Sequence, residues 1–431
     1  MNPTTCPKHV AIVGGGFGGL NAAKELANKP NINVTLIDRR NYHLFQPLLY
    51  QVATAGLSPA DIAAPIRGIF TSATNIHVVL ANVHGIDLNA KKLQANGSEI
   101  SYDYLILACG AKHSYFGHPE WEDASPGLKT LEQATEIRRR ILLAYEQAEK
   151  ETNAQSKNEL LTFVIVGAGP TGVELAGAIG EIARFTLERD FRNVHPNQSR
   201  IILIEAGERV LPSFSPKISE RAARDLAHLG VEVRTRARVT NVTSAGAWLG
   251  SEFIAARTAI WAAGVQPSSL NQLLGATLDS SGRVIVASDL SLPDHPNVYV
   301  IGDQAHFEKK ADHALPGLAP VAIQEGRHAA QNILRQMTGQ KTKRFYYFNK
   351  GQLATIGRRR AVVQAGPIQF GGFLAWVAWL VVHIYYLIGF RNRLMVMLEW
   401  AWSYITFQKG ARLIMSDDWR SYPHDDAKPN S

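Results

Sequence analysis

Two glycine runs have the spacing at which a backbone can grip a pyrophosphate: Gly14-Gly-Gly-Phe-Gly-Gly19 and Gly167-Ala-Gly-Pro-Thr-Gly172. Each reads G-x-G-x-x-G, and each glycine has a separate task. Gly14 and Gly167 allow the tight turn. Gly16 and Gly169 remove a side chain so that phosphate oxygens reach the backbone. Gly19 and Gly172 let a helix close on a strand. The free N–H groups and the positive dipole end of that helix then face the anion. A carboxylate completes such a site by accepting hydrogen bonds from a ribose diol at the end of the second strand. Asp38 stands 19 residues after Gly19, and Glu205 stands 33 residues after Gly172.

The motif means little without strand and helix around it, and both copies have them. His9-Val-Ala-Ile-Val13 precedes the first run, Leu20 to Leu26 follows with good helix formers, and Val34-Thr-Leu-Ile-Asp38 is a buried-type strand. Leu161–Val166, Val173–Phe185 and Ile201–Glu205 repeat the pattern. The charged Glu181–Arg200 stretch accounts for the longer spacing in the second copy, as a helix extension and a loop. Two copies imply an α/β chain of two Rossmann-like dinucleotide-binding domains. A late strand, Val298–Asp303, ends in Gly302-Asp303, and beyond residue 345 the composition shifts toward Trp, Tyr, Leu and Val. The expected division is 1–115 with 285–345 as one discontinuous domain, 116–284 as the second, and 346–431 as a C-terminal helical region on a membrane surface.

Composition removes several function classes. The 431 residues are 46% hydrophobic and 19% charged, which excludes a disordered chain. The net charge is +8, yet no basic run resembles a nucleic-acid arm. Cys6 and Cys109 are the only cysteines, so there is no C-x-x-C dithiol and no thiolate zinc site. No cluster of metal ligands stands out. Met1–Val10 lacks an apolar signal region and an Arg-rich transit pattern.

Taken as a set, these segments resemble the two-dinucleotide-binding-domain flavoproteins. In that resemblance Leu105-Ile-Leu-Ala-Cys-Gly110 closes an FAD domain, Val298–Asp303 carries the aspartate for the ribityl chain, and Ile260-Trp-Ala-Ala-Gly264 is the matching segment of an NADH domain. It assigns Gly14, Gly16, Gly19, Asp38, Val83, Ala108, Gly110, Gly302 and Asp303 to FAD. Gly167, Gly169, Gly172, Glu205 and Gly264 go to NADH. A carboxylate at Glu205 disfavours the 2′-phosphate of NADPH, an effect that nearby Arg209 weakens.

Within that group the chain is most similar to the type II NADH:quinone dehydrogenases. The carrying segments are Asn41–Tyr50, Leu315–Gln324 and Phe348–Arg358. The resemblance implies that Ala319, Ala322 and Gln324 line the flavin and quinone side, with Lys350 near the quinone. In the segment Leu315–Gln324 the usual Ala-Gln is here Ala319-Pro320. Glu174, two residues past Gly172, matches a glutamate expected at the nicotinamide–flavin junction, as packing or as a proton relay. Its plain alternative is a carboxylate that favours a helix N-terminus by about 0.3–1 kcal/mol.

The tail points toward lipid. Ala361 to Phe390 contains no Asp, Glu, Lys or Arg, and five of the eight tryptophans (Trp376, Trp379, Trp400, Trp402, Trp419) lie in the C-terminal region. Leu394–Ile414 has amphipathic periodicity with Glu399, Ser403, Thr406 and Lys409 on one stripe, flanked by Arg391, Arg393 and Arg412. The expectation is one or two interfacial helices on an anionic surface, a peripheral protein on the cytoplasmic face of the inner or plasma membrane, and a homodimer. A single span over Phe373–Phe390 and a dimer interface made by the aromatic surface are the competing readings. So are a soluble NAD(P)H-dependent reductase of a ferredoxin-like or other protein acceptor, and a flavoprotein with a signalling role.

Overall fold

A computed structural model describes residues 6–188, 190–310, 313–406 and 410–415. Lys409 and Trp419 lie outside the described residues. The chain forms two compact units: Met1–Leu44, Ala63–Ser114 and Val265–Lys350 in the first, and Phe45–Ile62, Tyr115–Gly264 and Gly351–Ser431 in the second. This differs from the division expected from sequence at two places. Residues 265–284 group with the first unit, where Asn271 donates to the carbonyls of Gly282 and Gln304. Residues 45–62 and the tail group with the second.

The first unit is built on a six-stranded sheet. Its order is Ser291–Leu292, His295–Val300, Tyr104–Leu107, Lys8–Val13, Ile32–Asp38 and Ile76–Leu80, parallel except at the first pair. The central strands read as apolar runs over Val10–Val13 and Leu105–Leu107 because both faces are covered. Val10, Ala11, Ile12, Leu105, Ile106 and Leu107 are all fully buried. Helices Phe17–Leu26 and Ala319–Met337 pack so closely that a Cβ on Gly326 would sit 2.2 Å from the Gly18 carbonyl oxygen. A three-stranded antiparallel sheet over residues 83–101 contributes Val83, Leu93 and Ala95 to a shared core with Leu105, Leu107 and Val300. Val83 is therefore a core side chain.

The second unit repeats the plan on a smaller parallel sheet, ordered Val231–Arg234, Arg200–Ile204, Thr162–Val166 and Thr258–Trp261. Helix Pro170–Glu181 runs into a π-turn at Ile182–Thr186, which absorbs part of the expected insertion. The loop beyond is pinned by the Glu149 carboxylate, which accepts from the backbone N–H groups of Arg192, Asn193 and Val194. The tail opens with strands Gln352–Gly357, Arg360–Ala365 and Ile368–Gly372, so the first third of the uncharged run is sheet. Helices Phe373–Tyr386 and Phe390–Thr406 follow. No helix among the described residues is long and apolar enough to cross a membrane. At 1.5 Å per residue the 14 residues of the first span about 21 Å, against a hydrocarbon core of about 30 Å.

Candidate cofactor cradles and an aromatic pocket

In the first unit the chain leaves its strand at Val13 and turns at Gly14, whose φ of +105° admits only glycine without strain. A Cβ there would lie 2.3 Å from the Ala108 carbonyl oxygen, and one on Gly19 would lie 1.9 Å from that of Gly14. A Cβ on Gly16 would meet nothing within 4 Å. Gly14 and Gly19 are thus demanded by the fold, and Gly16 is open space in front of the helix start. That start has no side-chain cap, so its N–H groups remain for an anion.

The intervening peptide is held at both ends. Gly15 N–H donates to Asp38 Oδ2 at 2.6 Å, and Arg40 N–H donates to the other carboxylate oxygen at 2.7 Å. Each oxygen keeps acceptor capacity for a ribose hydroxyl. The Gly15 carbonyl accepts from His43 Nδ1 at 2.9 Å. Burial lowers the His43 pKa to about 4, so the ring is neutral and Nδ1 carries the proton. Sequence reasoning gave His43 no role; its place between two Rossmann strands is the signal that was available.

The other expected flavin-side residues gather around this turn. Ala108 N–H donates to the Val13 carbonyl at 2.8 Å, and Gly110 follows with a positive φ. Gly302 donates its N–H to Glu325 at 2.6 Å, and burial raises the Glu325 carboxyl to about 8. A Cβ on Gly302 would lie 3.5 Å from that of Ala322, and one on Gly317 would lie 3.0 Å from the Asp303 carboxyl. Helix Ala319–Met337 takes Pro320 in its first turn, where a missing N–H costs nothing, so the unusual Ala-Pro leaves the helix start intact. The Gln324 amide is fully engaged with one strap. Its Nε2 donates to the Pro320 and Phe348 carbonyls, at 3.1 and 3.0 Å, and its Oε1 accepts from Phe348 N–H at 3.0 Å. Lys350 is exposed two residues beyond.

The second unit reproduces the first cradle. Gly167 has a φ of +99°, and a Cβ on it would lie 2.7 Å from Ala263 N. One on Gly172 would lie 1.8 Å from the Gly167 carbonyl oxygen, and Gly169 again faces nothing within 4 Å. Ala168 N–H and Gly207 N–H donate to the two oxygens of Glu205, both at 2.8 Å. The extra residues between Gly172 and Glu205 leave the carboxylate in the equivalent place. Gly264, with a φ of +67°, ends the neighbouring strand segment. Arg209 turns its guanidinium to the Pro212 carbonyl, at 3.2 Å.

Glu174 lies on the helix that starts at this second cradle, and it lines a cavity of about 120 Å³ that the sequence did not reveal. Five aromatic rings, Tyr50, Trp376, Trp379, Trp400 and Tyr404, share the wall with polar groups that include Gln51, Glu181 and Arg358. The helix can approach strand Gln352–Gly357 because residue 177 is glycine; a Cβ there would lie 1.7 Å from the Ile356 carbonyl oxygen. Burial pushes the Glu174 carboxyl up to about 8, partly offset by a hydrogen bond from the Thr355 backbone. Trp379 stacks on His383 at 4.1 Å. The Arg358 guanidinium lies 3.8 Å over the Tyr404 ring, and Arg359 donates to the Tyr404 hydroxyl at 2.9 Å. Ser403, expected on a solvated stripe, lines the cavity, while Leu374, Val381, Leu398 and Trp402 are exposed on the same two helices.

Residues 8–326 match the family described as pyridine nucleotide-disulphide oxidoreductase, and residues 349–407 match the NDH2 C-terminal domain. The chain is 44% identical, over 94% of its length and 89% of the relative, to the type II NADH:quinone oxidoreductase NdhA of Mycobacterium tuberculosis. It is 42% identical, over 95% and 91%, to Ndh of the same organism. Among solved structures it is similar to NDH2 from Plasmodium falciparum in complex with NADH, with a TM-score of 0.86 at 21% identity, covering 95% of this chain and all of that one.

Proposed function

The chain belongs to the type II NADH:quinone oxidoreductase family, and from that premise we propose that its first unit holds FAD, its second holds NADH, and the aromatic cavity takes a quinone. When bound, FAD supplies a two-electron carrier that accepts hydride from NADH and returns the electrons to quinone. The protein's own residues bind and orient. The helix start after Gly16 faces one pyrophosphate and Asp38 its ribose; the helix start after Gly169 and Glu205 do the same for NADH. Asp303 serves the ribityl chain. Ala319 and Ala322 leave room on the flavin side, and Gln324 ties down the strap that carries Lys350.

The observation that carries the reading is Glu174: a buried carboxyl, protonated at neutral pH, in a cavity lined by aromatic rings. The overall reaction, NADH + H⁺ + quinone → NAD⁺ + quinol, consumes one proton beyond the hydride. Glu174 supplies it to a quinone oxygen and is recharged from solvent, and no proton is pumped. The enzyme is peripheral. Five arginines and no Asp, Glu or Lys fall between residues 351 and 398. That basic segment carries the exposed Leu374, Val381 and Leu398, with the exposed Trp402 just beyond it, the combination that an anionic lipid surface attracts.

Anaerobic stopped-flow spectroscopy tests this. NADH should bleach the flavin band of wild type and of Glu174→Gln at rates within twofold. Reoxidation by a short-chain quinone should slow by roughly a hundredfold in the variant, the lower end of the range set by loss of a general acid. Wild-type reoxidation should also decline above about pH 8, where the carboxyl loses its proton. Equal reoxidation rates from pH 6 to 9 in both proteins would remove Glu174 from the mechanism.

A further inference from the structure

Tyr50 and Gln51 sit on the short helix Leu49–Ala53 and, with Thr54 and Gly56, are remote in sequence from the other residues of the cavity wall. The Tyr50 ring is buried and meets Trp379 edge-on at 6.5 Å. Its hydroxyl accepts a hydrogen bond from Gln51 Nε2 at 2.8 Å, and Gln51 Oε1 accepts from Trp400 Nε1 at 2.7 Å.

An indole N–H can only donate, and this fixes the polarity of the chain. With Trp400 donating, the Gln51 oxygen must face the indole and its NH₂ must face the phenol. Tyr50 therefore receives a hydrogen bond from Gln51 and cannot return one there. Its own O–H must donate elsewhere, and the cavity it lines is the space that remains. The phenol also keeps its proton: burial, and then the nearby carboxylates Glu174 and Glu181, raise its pKa well above the ordinary value. At neutral pH the cavity thus presents the O–H of Tyr50 and the protonated carboxyl of Glu174 among its donors, with Glu181, Arg358 and Ser403 also on its wall. A quinone headgroup offers two carbonyl acceptors and no donor, which is the complement.

We propose that Tyr50 is a substrate-positioning residue that donates a hydrogen bond to a quinone carbonyl, aimed by the Trp400–Gln51 chain. No bond to its proton breaks, so the proton that completes the quinol still comes from Glu174. The proposal rests on the cavity being the quinone site. It also gives the C-terminal helix a part in substrate recognition, because Trp400 fixes which way the Gln51 amide turns.

Tyr50→Phe keeps the ring and removes the donor. In the full-length enzyme its KM for a short-chain quinone should rise about tenfold, a loss of ~1.4 kcal/mol. Bleaching by NADH and the decline above about pH 8 should be unchanged. Trp400→Phe releases the Gln51 amide and should raise the same KM by about threefold with kcat retained. Should Tyr50→Phe fail to retain flavin, the Trp400→Phe value decides alone. An unchanged quinone KM alongside a slow Glu174→Gln would refute the Tyr50 role and leave the cavity as the quinone site. Unchanged quinone kinetics in all three variants would overturn both readings together.

Discussion

The two glycine turns are one device built twice, and they differ in a single partner. In each, the residue after the first glycine donates its N–H to the acid at the end of the next strand, Gly15 to Asp38 and Ala168 to Glu205. In each, the segment beside the turn is tied to the first strand, Ala108 to Val13 and Ala262 to Val166, at 2.8 and 2.7 Å. The carbonyl of the same residue is held differently. That of Gly15 takes the His43 imidazole, and that of Ala168 takes the Leu211 backbone N–H at 2.7 Å. Strand register sets the cradle, and the number of residues to the acid does not. The holder of the carbonyl is free to vary, and only one of the two holders can titrate.

The largest effects should come from the glycines that the fold itself requires. Gly19→Ala and Gly172→Ala each push a methyl to within 2 Å of a carbonyl oxygen on the turn, so the turn must open. Gly19→Ala is expected to purify with at least tenfold less flavin per chain. Gly172→Ala should stay yellow yet be bleached by NADH roughly a hundredfold more slowly, a loss of ~2.7 kcal/mol. Flavin content and single-turnover bleaching measure the two. If both variants lose flavin alike, the cradles do not serve separate cofactors.

The difference in carbonyl holder predicts a difference in acid sensitivity. Burial holds the pKa of the folded His43 at about 4, below the ordinary imidazole value of 6.5. Between those values the unfolded chain binds a proton that the folded chain does not. The contribution is therefore present in full above pH 6.5 and is lost as pH falls through this window toward 4. A protonated ring keeps its Nδ1–H but places a charge in an apolar site, so the first turn should loosen while the second, held by Leu211, should not. Flavin fluorescence should show cofactor release growing from pH 6.5 to 4.5 in wild type. His43→Gln, which keeps an N–H donor that does not titrate, should show a flatter curve. His383 is likewise buried with a pKa of about 4, so the global melting temperature will fall with acid in both proteins, and flavin release is the discriminating signal. Parallel release curves would remove His43 as the cause.

The contrast also explains what sequence could tell. Both fingerprints, their strands and their acids were legible because each lies within some 40 residues and each glycine has a steric reason to be there. The late Gly302-Asp303 was legible for the same reason, as a strand that ends at a turn. The aromatic cavity was not. It draws on residues near 50, 174, 355, 376 and 400, and no local period links them. Glu174 was visible as a residue beside a motif, but its raised pKa depends on neighbours that only the fold supplies. The tail's helices, read over Phe373–Phe390 and Leu394–Ile414, form as Phe373–Tyr386 and Phe390–Thr406, but the uncharged residues before them, Ala361–Gly372, form sheet strands. An uncharged run states burial or lipid contact and does not state which secondary structure delivers it.

The smallest effect concerns the acids themselves, where the two cradles are most alike. Glu205 should disfavour the 2′-phosphate of NADPH by charge, and Arg209, the nearby cation, donates to the Pro212 carbonyl. Glu205→Gln removes the charge and keeps one carbonyl oxygen for the turn, at the cost of one of its two backbone hydrogen bonds. The NADH KM should rise by about fivefold through the weaker hold on the ribose, and the NADPH KM should stay unchanged because relief of repulsion offsets the same loss. The preference for NADH should then narrow by about fivefold, or ~1 kcal/mol. Flavin content should not move, since Asp38 performs the equivalent task in the other unit. A KM rise of equal size for both nucleotides would mean that Glu205 supports only the turn, and discrimination would have to be sought in the residues between Gly207 and Pro212.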